Sequence, residues 1–119
     1  MFGMVFMSCY IINLEAGLPT VSAARSRLIN GLQTARMSGR KTVKIIHGYG
    51  SGGKGGAIKR DTHIFLSQKQ LAGSIKGYVK GEDFSPFCEA SRRLTALAPE
   101  LKRDSDYDRG NDGITIVLL

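Results

Sequence analysis

The sequence predicts an α/β fold, in which helices cover a β-sheet of about four strands in two or three layers. Short apolar runs of strand composition alternate with segments of helical periodicity, and glycines lie between them. The proportions of apolar residues, 42%, and charged residues, 23%, are typical of a folded globular protein. Because 119 residues give room for one core, we expect a single domain over residues 1–119.

Four segments are rich in β-branched and other apolar residues, which favours strands. They are residues 5–14, 42–46, 74–80 and 114–119. The second of these leads directly into a glycine-rich segment, so we expect that segment to lie at one end of the sheet.

Two helices are predicted between the first three strands. Thr20 is a good N-cap for a helix that runs to about Gly39. Its expected inner face consists of Val21, Ala24, Leu28, Leu32 and Ala35. The next helix is predicted to begin at residues 54–56 and to end near Gly73. Its expected inner face consists of Ile58, Thr62, Phe65 and Leu66.

Residues 81–113 are a polar insertion before the last strand. Ser85 and Pro86 are good N-cap and N1 residues, so they predict a helix of about ten residues. The later part, residues 99–112, is predicted to be loop.

The chain is basic, with 17 Lys and Arg against 10 Asp and Glu and a net charge of +7. This excess favours nucleic acid or another anionic partner. Cys9 and Cys88 lie far apart and fit no metal spacing, so we expect buried free thiols. The first twelve residues lack a basic leader region and a long apolar span, so we expect a cytoplasmic protein without membrane contact.

Residues 47–56 contain six glycines and lie between a predicted strand and a predicted helix. Glycine permits positive φ angles and close backbone approach, and a helix N-terminus attracts anions, so this segment is predicted to bind phosphate. A P-loop is disfavoured because Gly55 stands where Ser or Thr must hold magnesium. A dinucleotide-binding loop and a plain surface connection stay as alternatives.

The sequence here resembles the small MutS-related (Smr) domain family, whose members bind and sometimes cut DNA or RNA. The family motif His-Gly-x-Gly after an apolar strand is matched by Ile45-Ile46-His47-Gly48-Tyr49-Gly50. Residues 14–25 look like the family's first motif, and residues 113–117 look like its terminal strand. The resemblance implies a two-layer α/β sandwich with a mixed sheet of about four strands, similar to the C-terminal domain of bacterial translation initiation factor three, here with a helical insertion.

The first motif departs from the family pattern. Smr domains carry Leu-Asp-x-His-Gly, whose acid and imidazole are associated with nuclease activity, and this chain reads Leu14-Glu15-Ala16-Gly17-Leu18. The carboxylate is kept as Glu15, but Gly17 replaces the histidine that could move protons near neutral pH. Glu15 and His47 are the candidate catalytic pair of a nicking endonuclease. The alternative is that His47 braces the loop while Glu15 pairs with an arginine.

The preferred function is DNA or RNA binding through phosphate contacts without strong sequence readout. The residues expected at the phosphates are His47, Gly48, Tyr49, Gly50, Ser51, Gly52, Gly53, Lys54, Lys59 and Arg60. Tyr49 and Tyr78 are interpreted as base-stacking or packing residues. No cofactor and no metal site are predicted.

Three further features receive structural interpretations. Asp104, Asp106 and Asp108 begin like a calcium loop, but the glycine and glutamate that such a loop requires are missing, so we expect a polar loop. Glu82 and Asp83 are expected to cap the helix of the insertion rather than bind a metal, and His63 is expected to be solvated. As a third hypothesis, residues 84–97 contact a protein partner or a second copy of the chain.

Overall fold

The computed structural model describes residues 8–49 and 54–119, with side chains described from residue 56 onward in the second range. The elements are β1 (Tyr10–Asn13), α1 (Val21–Met37), β2 (Thr42–Ile46), α2 (Lys54–Leu71), β3 (Gly77–Lys80), α3 (Glu89–Leu97) and β4 (Ile114–Leu118). Short 3₁₀ helices at Gly81–Asp83 and Pro99–Arg103 flank α3. The predicted α/β class and the predicted order of elements are confirmed.

The four strands form one mixed sheet in the order β1-β2-β4-β3. β1 is parallel to β2, whereas β4 is antiparallel to both β2 and β3. Asn13 at the end of β1 pairs with Ile46 at the end of β2, and Ile46 pairs with Ile114 at the start of β4. The glycine-rich segment therefore leaves the sheet at an edge where three strand ends lie side by side.

The helices α1 and α2 cover one face of the sheet. Thr20 caps α1 as predicted, because its side-chain oxygen accepts a hydrogen bond from the Ala23 N–H at 3.1 Å. A forked ion pair joins the two helices, with Arg25 Nε 2.9 Å and Nη2 2.8 Å from the Asp61 carboxylate. The buried apolar residues of this layer are Ile12, Leu14, Ala24, Leu28, Leu32, Ala35, Val43, Ile45, Ile58, Phe65, Leu66, Ile75 and Val117.

The insertion covers the opposite face of the sheet. Phe84 and Leu101 are 0% and 2% exposed and pack with β4. The apolar cluster on this face is formed by Cys9, Val79, Phe84, Leu94, Ala98, Leu101, Ile114, Ile116 and Leu118. Since β4 contributes Ile114, Ile116 and Leu118 here and Val117 to the other cluster, both faces of the strand are buried. The insertion therefore serves as a second cover beyond the two-layer sandwich.

The aspartates that resemble a calcium loop bind a lysine of the protein itself. Lys44, on the insertion side of β2, places its Nζ 2.7 Å from Asp104 Oδ1 and 2.6 Å from Asp106 Oδ2. Burial opposes the charged form of Lys44, but these two carboxylates outweigh burial and raise its pKa. The polar loop expected from the sequence is thus fixed to the central strand.

Element boundaries differ from the sequence prediction at three places. Strand β1 begins at Tyr10, and residues 5–7 of the predicted strand lie outside the described residues. Strand β3 begins at Gly77 because Gly73, with φ +76°, and Ser74 end α2 in a turn, where the Ser74 N–H donates to Lys69 O. The predicted loop 99–112 contains the 3₁₀ helix Pro99–Arg103.

The predicted cap of the insertion helix is wrong. Helix α3 begins at Glu89 with Cys88 as its N-cap. The Ser85 hydroxyl instead accepts the Phe87 N–H two residues later at 3.2 Å. This local turn competes with helix formation at Pro86, so the helix starts three residues further along.

Candidate nucleic-acid interface

The central strand β2 runs into a tightly held peptide at Gly48. The backbone N–H groups of His47 and Gly48 both donate to the Gly113 carbonyl, at 3.0 and 3.1 Å. Gly48 has a φ of +85°, a conformation that residues with a Cβ rarely adopt. The glycine in the His-Gly-x-Gly pattern is therefore required by the backbone at this position.

Glu15 lies directly against this peptide. A Cβ atom placed on Gly48 would clash with the Glu15 carboxylate. Asn13 holds the turn that carries Glu15, because its Oδ1 accepts the N–H groups of Glu15 and Ala16 at 2.8 and 3.0 Å. The alternative pairing of Glu15 with an arginine is not seen among the described residues, where Arg27 donates to the carbonyls of Asn13 and Ala16 instead. The structure thus places one carboxylate next to the start of the glycine-rich segment.

His47 is an interior residue, 1% exposed. Its Nδ1 lies 2.9 Å from Gly48 O, and its Nε2 lies 2.8 Å from the Thr115 hydroxyl on β4. Burial lowers the pKa of His47, because desolvation disfavours the imidazolium form. Both ring nitrogens are thus engaged, one of them by the Gly48 carbonyl at the start of the glycine-rich segment.

The expectation that His63 is solvated is wrong. His63 is half-buried on α2, and its Nε2 lies 2.9 Å from the same Thr115 hydroxyl. Its ring is perpendicular to that of His47, with centroids 5.5 Å apart. Burial, together with the positive charges nearby, lowers the pKa of His63 to about 4. The helix turns this histidine toward the sheet, whereas Asp61 two residues earlier turns toward α1.

Tyr78 belongs to the same group of polar side chains beneath α2 as His63 and Thr115. Its ring stacks on His63 with centroids 6.2 Å apart, and its hydroxyl lies 2.6 Å from the Ser67 hydroxyl. Because ring and hydroxyl both have partners within the protein, the structure favours packing over base stacking for Tyr78. Tyr49, in contrast, is 66% exposed and lies over Gly113.

Two predicted phosphate-binding cations of α2 have different surroundings. Lys59 Nζ donates to the Asp112 carbonyl at 2.8 Å and lies 3.3 Å from Glu82 Oε2. Glu82 therefore pairs with a lysine and does not cap α3 as expected. Burial alone would raise the Glu82 pKa, but a backbone hydrogen bond and Lys59 lower it. Arg60, the next residue, is exposed.

Gly50, Ser51, Gly52 and Gly53 lie outside the described residues. Lys54 begins α2, and the first turn of that helix carries no acidic residue. The described part of the segment is therefore its two ends, at Tyr49 and at the start of α2.

The segment 84–97 has an inner and an outer side. Phe84 and Leu94 are buried against the sheet, whereas Phe87 is 86% exposed.

Cys9 is buried and Cys88 half-buried, and both thiols are free. Burial raises the pKa of Cys9 to about 11. Within residues 8–49 and 54–119, no three His, Cys, Asp or Glu residues form a group that could hold a metal ion, and no helix is long and apolar enough to span a membrane.

Comparison with known proteins bears on this arrangement. The crystal structure of the Smr domain of Thermus thermophilus MutS2 has a similar fold, with a TM-score of 0.54 and 19% sequence identity over 92% of each chain. A comparison with curated proteins gave no match. The family model of the Smr domain matches residues 16–83, which include the glycine-rich segment and all of α2. Since this is more than half of the sequence, the chain belongs to the Smr domain family.

Proposed function

We propose that this Smr domain binds nucleic acid by contacting phosphates with the glycine-rich segment, residues 47–56, and the cations beside it. The observation that carries the proposal is the position of this segment within the matched region 16–83. Its two ends lie at the C-terminus of the central strand β2 and at the N-terminus of α2. Backbone N–H groups and a helix N-terminus together favour an anion at such a junction.

Charge supports the same proposal. The chain has a net charge of +7, and the first turn of α2 has no acidic residue to compete with an anion for the helix N-terminus. Arg60 is exposed one position beyond Lys59, whose ammonium is held by Glu82 and the Asp112 carbonyl. Lys59 thus acts as a fixed charge and Arg60 as an adaptable one.

Tyr49 adds an exposed aromatic ring to this edge. It is 66% exposed and lies over Gly113, at the point where β4 begins. An aromatic face can stack on any base and therefore binds single strands without sequence preference. Phosphate contact with occasional base stacking agrees with binding that lacks strong sequence readout.

A salt series tests the proposal. Affinities for fluorescent duplex DNA, single-stranded DNA and RNA are measured for the wild type, for Arg60→Gln and for Arg93→Gln. Arg93 is exposed on α3, on the other face of the sheet, so its variant loses the same charge at a different place. Arg60→Gln should weaken binding and lower the log–log salt slope by about one for the lost phosphate contact. Equal losses in both variants, or binding that is independent of salt, would refute binding at this edge.

A second candidate function is that of a nicking endonuclease, and the contact of Glu15 with Gly48 favours it. That contact places a carboxylate within the proposed phosphate-binding edge, where it can accept a proton. Because both nitrogens of His47 are already bonded, His47 would serve by positioning the loop. Relaxation of supercoiled plasmid should disappear in Glu15→Gln and in His47→Ala while nucleic-acid binding by Glu15→Gln is retained. Full activity in both variants would exclude this function.

A further inference from the structure

One hydroxyl group lies between the two histidines of the chain. Thr115 Oγ1 is 2.8 Å from His47 Nε2 and 2.9 Å from His63 Nε2. Thr115 is 0% exposed and His47 is 1% exposed, so the bond between them is not shared with bulk water. The hydroxyl has a single hydrogen, which means that it can donate to one imidazole and must accept from the other.

The Gly48 carbonyl decides which histidine receives that hydrogen. His47 Nδ1 lies 2.9 Å from Gly48 O, and a carbonyl oxygen only accepts, so Nδ1 carries the hydrogen. A neutral imidazole has one N–H, and burial disfavours the charged form of His47. Its Nε2 is therefore bare and accepts the hydrogen of Thr115.

The state of His63 follows from this assignment. Since the Thr115 hydrogen points to His47, Thr115 Oγ1 accepts the Nε2–H of His63. The donors thus run in one direction, from His63 to Thr115, from Thr115 to His47, and from His47 to Gly48 O. The two histidines consequently hold opposite tautomers, with the hydrogen on Nδ1 in His47 and on Nε2 in His63.

We propose that Thr115 is a positioning residue, whose hydroxyl anchors the His47 ring against the Gly48 carbonyl at the start of the glycine-rich segment and sets the Nε2–H tautomer of His63. The other side of Gly48 is fixed by its N–H bond to Gly113 O. The link between this anchoring and nucleic-acid affinity is the one part of this proposal that rests on the proposed function. Through that link the affinity depends on a buried hydroxyl that does not itself contact the ligand.

Two substitutions at Thr115 separate shape from hydrogen bonding. Thr115→Val keeps the branched shape but removes the hydroxyl, which leaves His47 without its donor and His63 without its acceptor. Thr115→Ser keeps the hydroxyl and should keep the tautomers. Thr95→Val is the matched control, because Thr95 is a buried threonine, 5% exposed, whose hydroxyl bonds Arg92 O in α3 on the opposite face.

The first arm of the test is independent of any ligand. Nitrogen-15 NMR of the imidazoles in the full chain reports which ring nitrogen carries hydrogen. The wild type should show the two opposite tautomers, and Thr115→Ser and Thr95→Val should show the same pattern. Thr115→Val should keep the Nδ1–H form of His47, which Gly48 O still holds, and should lose the Nε2–H form of His63 as the dominant state, because that N–H no longer has an acceptor. Identical tautomers for both histidines in the wild type would overturn the proposal, whether or not Thr115→Val folds.

The second arm measures affinity for the same fluorescent DNA and RNA probes, after thermal unfolding has shown that each variant is folded. Thr115→Val should bind about fivefold more weakly, the change expected if the free energy of its one hydrogen bond to His47 is lost from the binding-competent loop, whereas Thr115→Ser and Thr95→Val should bind as the wild type does. Unchanged affinity of Thr115→Val would refute the link between the hydroxyl and the loop. If the wild type binds none of the probes, the proposed function fails, and the NMR arm alone decides the hydrogen-bond assignment.

Discussion

Acid should destabilise this protein through His63. The perturbation is a decrease of the pH from 7 to 4.5, with the free energy of unfolding measured at both values. In the folded state His63 has a pKa of about 4, against 6.5 for an exposed histidine. Burial and the nearby charges of Lys80 and Lys59 lower its pKa by opposing the imidazolium form, and the neutral ring is bonded to Thr115 and stacked on Tyr78.

The sign follows from proton uptake. Below pH 6.5 the unfolded chain binds a proton at His63, while the folded chain does not bind it until the pH approaches 4. The unfolded state therefore gains protons first, so the stability falls as the pH falls through this window. The window from pH 6.5 to 4.5, at about 1.4 kcal/mol for each pH unit, sets an upper bound of about 3 kcal/mol, and the partial exposure of His63 reduces the expected loss to about 2 kcal/mol.

Urea unfolding followed by circular dichroism provides the assay. The wild type and His63→Gln are compared at pH 7 and at pH 4.5, and only the change with pH is interpreted. The variant lacks the titrating ring, so its stability should fall by about 2 kcal/mol less than that of the wild type. An equal fall in both proteins would show that His63 is not held neutral by the fold.

Three further predictions concern stability in urea at pH 7. Lys44→Met should lower the free energy of unfolding by about 3 kcal/mol, because it leaves Asp104 and Asp106 largely buried without their shared cation. An unchanged free energy of unfolding would mean that the loop does not depend on these ion pairs. Thr20→Ala should lower the free energy of unfolding by about 1 kcal/mol through the lost N-cap, whereas Thr20→Ser should lower it less. Equal losses in the two variants would argue against the cap. Gly81→Ala should lower the free energy of unfolding by about 3 kcal/mol, because the added Cβ would overlap a backbone carbonyl of the loop before β4. If the variant were as stable as the wild type, this loop would have to move freely.

Local patterns were sufficient for the elements that build the sheet and its helical layer. Thr20 followed by apolar residues at helical spacing predicts α1, and the structure confirms both the cap and the buried face. The β-branched run 42–46 predicts β2 with the bounds Thr42–Ile46. These signals are local because capping and periodicity depend on residues within a few positions of one another.

The polar interior of the candidate site could not be predicted in this way. His63 lies 52 positions from Thr115, and His47 lies 68 positions from it, so no local pattern joins them. A signal was nevertheless present, since Thr115 is a hydroxyl residue within the otherwise apolar run Ile114–Leu118. A buried polar group in such a strand needs a partner, and the two histidines are the partners that the fold supplies.

The insertion shows a similar limit. Ser85 and Pro86 carry the preferred residue types for a helix start, yet the chain forms a turn there because Phe84 is buried and the Ser85 hydroxyl bonds the Phe87 N–H. Lys44 in a buried strand requires an anionic partner, but its sequence does not reveal that Asp104 and Asp106 supply it. Tertiary contacts decide both cases.

The most direct test of the central claim is an amide NMR titration of the labelled full chain with a short single-stranded DNA, a duplex DNA and an RNA. The account predicts that the largest shifts on binding occur at Gly48, Tyr49, Gly113 and the first turns of α2, while the amides of α3 stay unchanged. Shifts confined to α3 and the turn that carries Phe87 would contradict it and would point to the insertion as the contact surface. An absence of shifts with all three probes would refute nucleic-acid binding by this domain.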